Sequence, residues 1–264
     1  MKGVLALDDG GHLAYETIGN GPPLLLVSGL GGLASFWGDF AKACAEHFTV
    51  VMHDHRGTGA SSRCDRAYSI ASMADDVAAL SRHLGLERPA YVGHSTGGAI
   101  GQHLAATGAL DFRALVLSAT FARPCAYFRR LFTSRLQVLE AMGLEAYREQ
   151  ATLLLYPPYW LAEHEVGAGR SNGSSHVLDA EITRRRIEAV MAHDALDRLP
   201  QIQCPTLVIV AADDIVPPPY HSLQLADALP KAEVVVLPRG GHYVVHTESD
   251  AYRRDVLTFL QRHT

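Results

Sequence analysis

The chain has 264 residues, of which 48% are hydrophobic and 19% charged, and its net charge at pH 7 is −5. This length and composition suit one large α/β domain, or such a domain with an insertion. The absence of a basic run argues against nucleic-acid binding, and the absence of a ~20-residue apolar stretch argues against a membrane span. We therefore expect a small-molecule ligand and no nucleic-acid or membrane partner, with monomer and homodimer both open.

The cysteines and the first ten residues of the chain indicate the cellular compartment. The four cysteines, Cys44, Cys64, Cys125 and Cys204, show no C-x-x-C spacing, which argues against a disulfide framework or a zinc site. The first ten residues contain Asp8-Asp9 and lack the pattern of a signal peptide. We expect a cytoplasmic protein without a bound metal, with most histidines at the surface or at helix caps.

Short apolar runs alternate with helical patterns along the chain, which predicts an α/β fold with a mostly parallel central sheet and helices on both faces. The predicted strands cover residues 12–18, 24–27, 48–52, 91–92, 114–117, 207–210 and 234–237. The predicted helices cover residues 34–45, 72–84, 98–106, 220–229 and 250–262.

The alternation stops between about Phe121 and Pro200. This stretch has helical periodicity, an interruption at residues 156–160 and a Gly/Ser/Asn-rich segment near residues 167–175. It predicts a helical cap at residues 122–199, inserted into a core formed by residues 1–121 and 200–264. Within it, the triplet Arg184-Arg185-Arg186 predicts an exposed helix face.

A G-x-S-x-G pentapeptide at residues 93–97 follows the strand at Tyr91-Val92. A sharp strand-to-helix turn of this kind exposes a serine hydroxyl, here that of Ser95, above the sheet. The glycines two positions to either side let the helix pass close to the strand. The alternative is an ordinary serine that caps a helix.

Serine needs a general base and a carboxylate that orients the base. Asp213 and Asp214 follow the strand at 207–210, and Gly240-Gly241-His242 follow the strand at 234–237. Both turns lie beyond the carboxyl end of a strand, where α/β sheets bind ligands. His242 is therefore the candidate base, and either aspartate could be the acid.

With Ser95, acid and histidine in this chain order, the sequence resembles the α/β-hydrolase superfamily of serine hydrolases. The family's acid turn, G-x-x-D-x-x-x-P, aligns with residues 211–218 with Ala211 in place of the glycine, and this register selects Asp214. Residues 28–32 stand where the family has its oxyanion loop, which implies the backbone N–H groups of Leu30 and Thr96 as oxyanion donors. Residues 54–61 resemble the family's D-x-R-G-x-G-x-S turn, which we interpret as architectural, with Asp54 and Arg56 bonded locally.

The sequence marks the substrate pocket less clearly than the catalytic residues. His94, Trp37, Tyr127, Tyr159 and Trp160 are candidate substrate-binding residues, although core packing explains each of them at least as well. His246, His53 and His55 are expected at a helix start or at the surface. Further candidate lining residues of the cap are Phe128, Leu131, Phe132 and Leu155.

Several segments resemble the aminoacrylate hydrolase of pyrimidine degradation, among them residues 27–32, 54–59, 68–70 and 155–157 with Trp160, and Cys204-Pro205 before the acid turn. The enol-lactonases of aromatic catabolism are similar, less so in the cap. Because Ser95 has a full set of partners, we expect a hydrolase of a small carboxylic ester or lactone that needs no cofactor. An aminoacrylate or carbamate hydrolase is the alternative. A perhydrolase, a carbon–carbon bond hydrolase and a ligand receptor without turnover also remain open.

Overall fold

The computed structural model describes residues 1–63, 67–165 and 179–263. Cys64 and the Gly/Ser/Asn-rich segment near residues 167–175 lie outside the described residues. The strands are β1 (Lys2–Ala6), β2 (His12–Ile18), β3 (Pro23–Val27), β4 (Thr49–His53), β5 (Ala90–His94), β6 (Leu115–Ser118), β7 (Thr206–Ala211) and β8 (Ala232–Leu237). The helices are α1 (Gly38–Cys44), α2 (Ile70–His83), α3 (Thr96–Thr107), α4 (Ala126–Leu155), α5 (Pro158–Glu163), α6 (Ala180–Met191), α7 (Pro219–Ala228), α8 (Val244–Thr247) and α9 (Ser249–His263).

The eight strands form one sheet in the order β1-β2-β4-β3-β5-β6-β7-β8. β1 and β2 are antiparallel to their neighbours, and every pairing from β4 to β8 is parallel. The mostly parallel α/β sheet expected from the sequence is thus confirmed. β5 lies near the middle of the sheet, so the serine turn that follows it lies centrally at the carboxyl edge.

Both faces of the sheet are covered, which explains why the central strands are continuously apolar. Leu25 and Val27 of β3 pack in one core cluster with residues of α2, α3 and α7. Leu24 and Leu26 point to the opposite face and pack with residues of α1 and α9. Successive side chains of a strand alternate between faces, so each core layer receives every second residue.

The structure differs from the predicted elements in two places. β1 was not predicted, because it is a short edge strand in which only Leu5 is buried. The helix predicted from residue 34 begins as a 3₁₀ turn at Ala34–Trp37 and becomes α-helical only at Gly38.

Helices α4, α5 and α6 lie between β6 and β7, and the described residues between these two strands contain no β-strand. Phe121 and Val216 join buried side chains of α4 and α6 in a third apolar cluster. The chain between β6 and β7 leaves the core and returns to it at one place, because Ala195 N–H donates to the Ala122 carbonyl at 2.9 Å. Beside that bond, Arg123 Nε donates to Asp194 at 2.7 Å.

The predicted exposure of the arginine triplet is wrong for one of its members. Arg184 and Arg185 bond to Glu181 on the helix surface, as expected. Arg186 has only 1% of its surface exposed, because it shares the inner face of α6 with Ile182 and Val190.

Candidate active site

Ser95 occupies the turn between β5 and α3 and has φ 54° and ψ −116°. A non-glycine residue at positive φ is strained, and such strain is concentrated at functional sites. The turn is held by Ser95 N–H, which donates to the Ser118 carbonyl at 2.8 Å, and by Thr120 Oγ1, which donates to the Ser95 carbonyl at 2.7 Å. Ser95 is half-buried, whereas its neighbours in the sequence are buried.

The glycines of the pentapeptide allow this turn to form. A Cβ on Gly93 would lie 2.3 Å from the Gly97 carbonyl oxygen, and a Cβ on Gly97 would lie 2.0 Å from the Val27 carbonyl oxygen. Neither position has room for a side chain. The start of α3 therefore packs directly on the backbone at the end of β3, next to the loop at residues 28–32.

His242 lies in the turn after β8, and the acid turn after β7 faces it. The ring Nδ1 of His242 is 2.9 Å from Asp214 Oδ2, and both side chains are almost fully buried. Asp214 Oδ1 accepts from Val216 N–H at 2.8 Å. With Asp214 Oδ2 as the acceptor, a neutral imidazole carries its proton on Nδ1 and presents Nε2 as an acceptor.

Asp213 binds the same turn through its backbone. Its Oδ1 accepts from Gly241 N–H at 2.8 Å. Gly240 and Gly241 both have positive φ, at 140° and 63°. The two aspartates therefore have separate partners: Asp214 contacts the ring of His242, and Asp213 contacts the backbone that precedes it.

The loop after β3 brings backbone donors towards Ser95. A Cβ placed on Gly29 would lie 3.2 Å from Ser95 Cβ, so the two backbones are in close contact. Among the described residues, the N–H groups of Leu30 and Thr96 have no hydrogen-bond acceptor. Two uncommitted backbone donors next to a candidate nucleophile are what an oxyanion requires.

The D-x-R-G-x-G-x-S turn is built of local bonds, as predicted. Asp54 accepts from the N–H groups of Ala34 and Ala60, each at 2.9 Å. Arg56 makes a two-point contact with buried Asp76, at 2.6 and 3.1 Å. These bonds tie the turn to α2 and to the loop after β3.

The structure places His94 and Trp37 in packed positions. His94 is 1% exposed, and its ring lies 4.9 Å from the rings of both Phe36 and His242. Burial, reinforced by His242 and His246, lowers the pKa of His94 well below its usual value, so the ring is neutral. Trp37 is 1% exposed and belongs to the core cluster beneath the sheet, which favours the core interpretation of this residue.

Three aromatic candidates lie further out on the helices between β6 and β7. Tyr127 Oη donates to the Ile215 carbonyl at 2.6 Å and so touches the acid turn, but the residue is 42% exposed. Tyr159 packs under the Arg239 guanidinium, 5.0 Å from its ring centre. Trp160 stacks between Tyr156 and His164, with ring centres 4.7 and 4.0 Å away.

Two histidines are more deeply buried than the sequence suggested. His53 and His55 are 3% and 2% exposed, and their rings stack 4.9 Å apart. His246 belongs to α8, and its ring lies 4.8 Å from that of Phe36. Among the described residues, no group of three His, Cys, Asp or Glu side chains could hold a metal ion.

Sequence reasoning missed Tyr243, whose position next to His242 was the available signal. Its ring lies 5.0 Å from that of Tyr156, and its N–H donates to the Leu155 carbonyl at 2.9 Å. It thereby joins the histidine turn to the end of α4. The buried arginines Arg135 and Arg186 were missed as well.

The chain matches the profile of the alpha/beta hydrolase family over residues 24–255. Two relatives are RutD proteins, named for carbamate hydrolysis. The one from Agrobacterium fabrum is 36% identical over 93% of this chain and 95% of its own length. The one from Variovorax paradoxus is 39% identical over 95% of this chain and 96% of its own. The solved enol-lactonase of Burkholderia xenovorans superposes with a TM-score of 0.87 at 26% identity, covering 98% of this chain and 100% of that one.

No described helix is both long enough and apolar enough to span a bilayer.

Proposed function

Because the chain belongs to the alpha/beta hydrolase family, we propose that it is a serine hydrolase that cleaves a small carboxylic ester or lactone through an acyl-enzyme. The observation that carries the proposal is the buried contact of 2.9 Å between His242 Nδ1 and Asp214, beyond the same sheet edge as the strained Ser95. This arrangement supports a nucleophile, a base and an orienting acid in the order that acyl transfer requires. We further propose that the protein is cytoplasmic, on its cysteine usage.

In the proposed mechanism, His242 Nε2 removes the Ser95 Oγ proton as Oγ attacks the substrate carbonyl carbon. The Leu30 and Thr96 N–H groups bind the resulting oxyanion. Asp214 holds the Nδ1 proton and stabilises the imidazolium. The oxyanion then collapses, the alcohol leaves with the proton from Nε2, and a water activated by the same nitrogen hydrolyses the acyl-enzyme. This sequence of steps uses no cofactor.

We propose that residues 122–199 cap this site, over a core of residues 1–121 and 200–264. Three contacts support the assignment. Tyr127 of α4 bonds to the acid turn, the end of α4 bonds to Tyr243, and Leu30 packs against the apolar cluster of α4 and α6. A cap in this position would exclude water from the acyl-enzyme and select the acyl group.

The similarity to RutD proteins favours a carbamate or enamine substrate as the second candidate. Serine attack on a carbamate carbonyl would use the same base and the same oxyanion donors. A panel of nitrophenyl esters of increasing chain length, tested beside a lactone and a carbamate, separates these substrate classes by their kcat/KM values.

Labelling with a fluorophosphonate tests the enzyme proposal against a ligand receptor without turnover. We expect one adduct, on Ser95, and a fall in kcat of ~10³-fold or more in Ser95→Ala. Ser134→Ala, a change at an exposed serine of α4, is the matched control and should keep both labelling and turnover. Ester hydrolysis near the wild-type rate in Ser95→Ala would refute the assignment.

A further inference from the structure

Two arginine side chains are buried among the helices that lie between β6 and β7. Arg135 of α4 is 4% exposed and Arg186 of α6 is 1% exposed. Arginine is rarely buried unless an anion pairs with it. No described carboxylate lies within ion-pairing distance of either guanidinium.

Arg186 reaches the loop that precedes the proposed oxyanion donor. Its Nη2 lies 2.8 Å from His55 Nδ1 and 3.4 Å from the Gly29 carbonyl oxygen. Its Nε and Nη1 have no partner among the described residues. Burial lowers the pKa of Arg186 to about 10, so the group still carries its charge at neutral pH.

The described neighbours of Arg186 do not neutralise that charge. Burial first, then Arg186 and His53, lower the pKa of His55 well below its usual value, so His55 is a neutral acceptor. His53 stacks on it and is also neutral at pH 7, because burial and Arg186 lower its pKa to about 4. In the part of the chain that the structure describes, the positive charge of Arg186 thus lies against uncharged rings.

Arg135 lies against Tyr147, another residue of α4. Its Nη2 donates to Tyr147 Oη at 2.7 Å, and its Nε has no partner in the part of the chain that the structure describes. The guanidinium carbon lies 5.2 Å from the ring centre of Phe132 and 4.8 Å from that of Tyr147. These cation–π contacts stabilise the charge only in part.

Chains of contacts connect both arginines to the loop beside Ser95. Leu30 packs against the same cluster as Phe132 and Tyr147, and Gly29, whose carbonyl faces Arg186, is in contact with the Ser95 turn. Burial raises the pKa of Tyr147, and the positive charges of Arg135 and Arg186 both oppose that rise. A carboxylate at these guanidinium groups would meet planar donors suited to two-point binding.

Burying an uncompensated cation is costly, and an apolar side chain of similar volume is usually at least as stable. We propose that Arg135 and Arg186 bind a carboxylate of the substrate, so that the enzyme acts on short acyl compounds that carry a second, anionic group. The half-ester of a dicarboxylic acid is the simplest example. This inference rests on the proposed function for the role of Ser95.

Binding is tested apart from catalysis by titrating succinate into the full-length Ser95→Ala protein, followed by calorimetry. We expect succinate to bind, and its neutral analogue succinamide to bind at least tenfold more weakly. Adding Arg135→Met or Arg186→Met should weaken succinate binding at least tenfold. Arg130→Met, an exposed change on the same helix, is the matched control. Inorganic phosphate and chloride in parallel titrations show whether the site selects carboxylates.

Catalytic selectivity is tested with monoethyl succinate and ethyl butyrate, followed by proton release. The ratio of their kcat/KM values should favour the half-ester in the wild type and fall at least tenfold in either arginine variant. Arg186→Lys, which keeps the charge but loses the planar fork, should give an intermediate ratio and covers the case in which Arg186→Met does not fold.

The outcomes are separable. If succinate binds but no ester is cleaved, the proposed function fails and the carboxylate site stands. If the wild type cleaves esters without preferring the half-ester, or the arginine variants lower the melting temperature while leaving the ratio unchanged, the arginines are structural and the inference is overturned.

Discussion

Replacement of Asp214 by asparagine tests the orientation of the proposed base. The two carboxylate oxygens of Asp214 have different partners: Oδ1 accepts from Val216 N–H at 2.8 Å, and Oδ2 contacts His242 Nδ1 at 2.9 Å. Because the Val216 amide can only donate, the oxygen of an asparagine stays on that side and its NH₂ group faces His242. Nδ1 must then accept a hydrogen bond, which moves the imidazole proton to Nε2.

A histidine that is protonated on Nε2 cannot take the proton of Ser95. The expected loss in kcat is ~10⁴-fold, about 5 kcal/mol of activation free energy, since the side chain keeps its shape and loses only its charge and its acceptor. Both Asp214 and His242 are buried, so water does not replace the missing acceptor. The assay is the hydrolysis of a nitrophenyl ester at saturating concentration, with KM measured alongside.

Asp213→Asn is the matched control. Its retained Oδ1 still accepts from Gly241 N–H, so the loss in kcat should stay below about tenfold, the effect of weakening one hydrogen bond. If Asp213→Asn proves as damaging as Asp214→Asn, or more so, the assignment of the two aspartates is refuted.

The remaining predictions concern stability. Gly97→Ala should lower the free energy of unfolding by ~1–3 kcal/mol, because its Cβ would lie 2.0 Å from the Val27 carbonyl oxygen. Asp76→Asn should cost ~1–3 kcal/mol in urea unfolding, because it removes the buried negative charge that faces the 4%-exposed Arg56, which keeps its ion pair with the partly exposed Asp9. Acid should also destabilise the protein. Burial and Arg186 lower the pKa of His53 to about 4 in the folded chain, so its contribution to stability is present above about pH 6.5 and is lost as the pH falls towards 4. His53→Leu should flatten this part of the pH dependence.

Each of these predictions has a comparison that can contradict it. Gly31→Ala adds a Cβ with no atom within 4 Å, and a melting temperature equal to that of Gly97→Ala would dismiss the steric argument. Asp111 pairs with Arg88 on the surface, so Asp111→Asn should cost less than ~1 kcal/mol. If His53→Leu leaves the slope of the unfolding free energy against pH unchanged between pH 6.5 and 4, other groups cause the acid sensitivity.

The central strands were predictable because the sheet buries both of their faces, so each strand stands out as a continuous apolar run. β1 was not, because the residues Lys2–Ala6 are mostly exposed and gain their regular structure by pairing with β2. Pairing at the edge of a sheet is a long-range interaction, and it produces no recognisable hydrophobic pattern in a strand of five residues.

The chain order of Ser95, the acid turn and His242 was visible because each follows a strand that ends at the same sheet edge. The choice between Asp213 and Asp214 depended on the motif register alone. In the structure, the aspartates differ in which part of the histidine turn they contact, and a contact between two turns has no signature in either turn's sequence.

Arg186 is a different case, because its sequence did contain a usable signal. Three successive arginines suggested one solvated face, but successive residues of a helix point in directions about 100° apart. Arg186 is four residues from both Ile182 and Val190, and all three are buried on one stripe of α6. The position of a charged residue around the helix, relative to the apolar stripe, therefore predicts its environment better than the charges of its sequence neighbours do.

The bond of 2.9 Å between Ala195 and Ala122, with Arg123 and Asp194 beside it, forms a narrow neck between β6 and β7. Because the chain enters and leaves through adjacent residues, the length of the segment beyond the neck places no geometric demand on the two parallel strands. The entropic cost of closing a loop grows only slowly with its length. Evolution, or a protein engineer, can therefore shorten, lengthen or exchange that segment while the sheet and the serine turn stay as they are; if the segment caps the site as proposed, each such change alters the substrate preference.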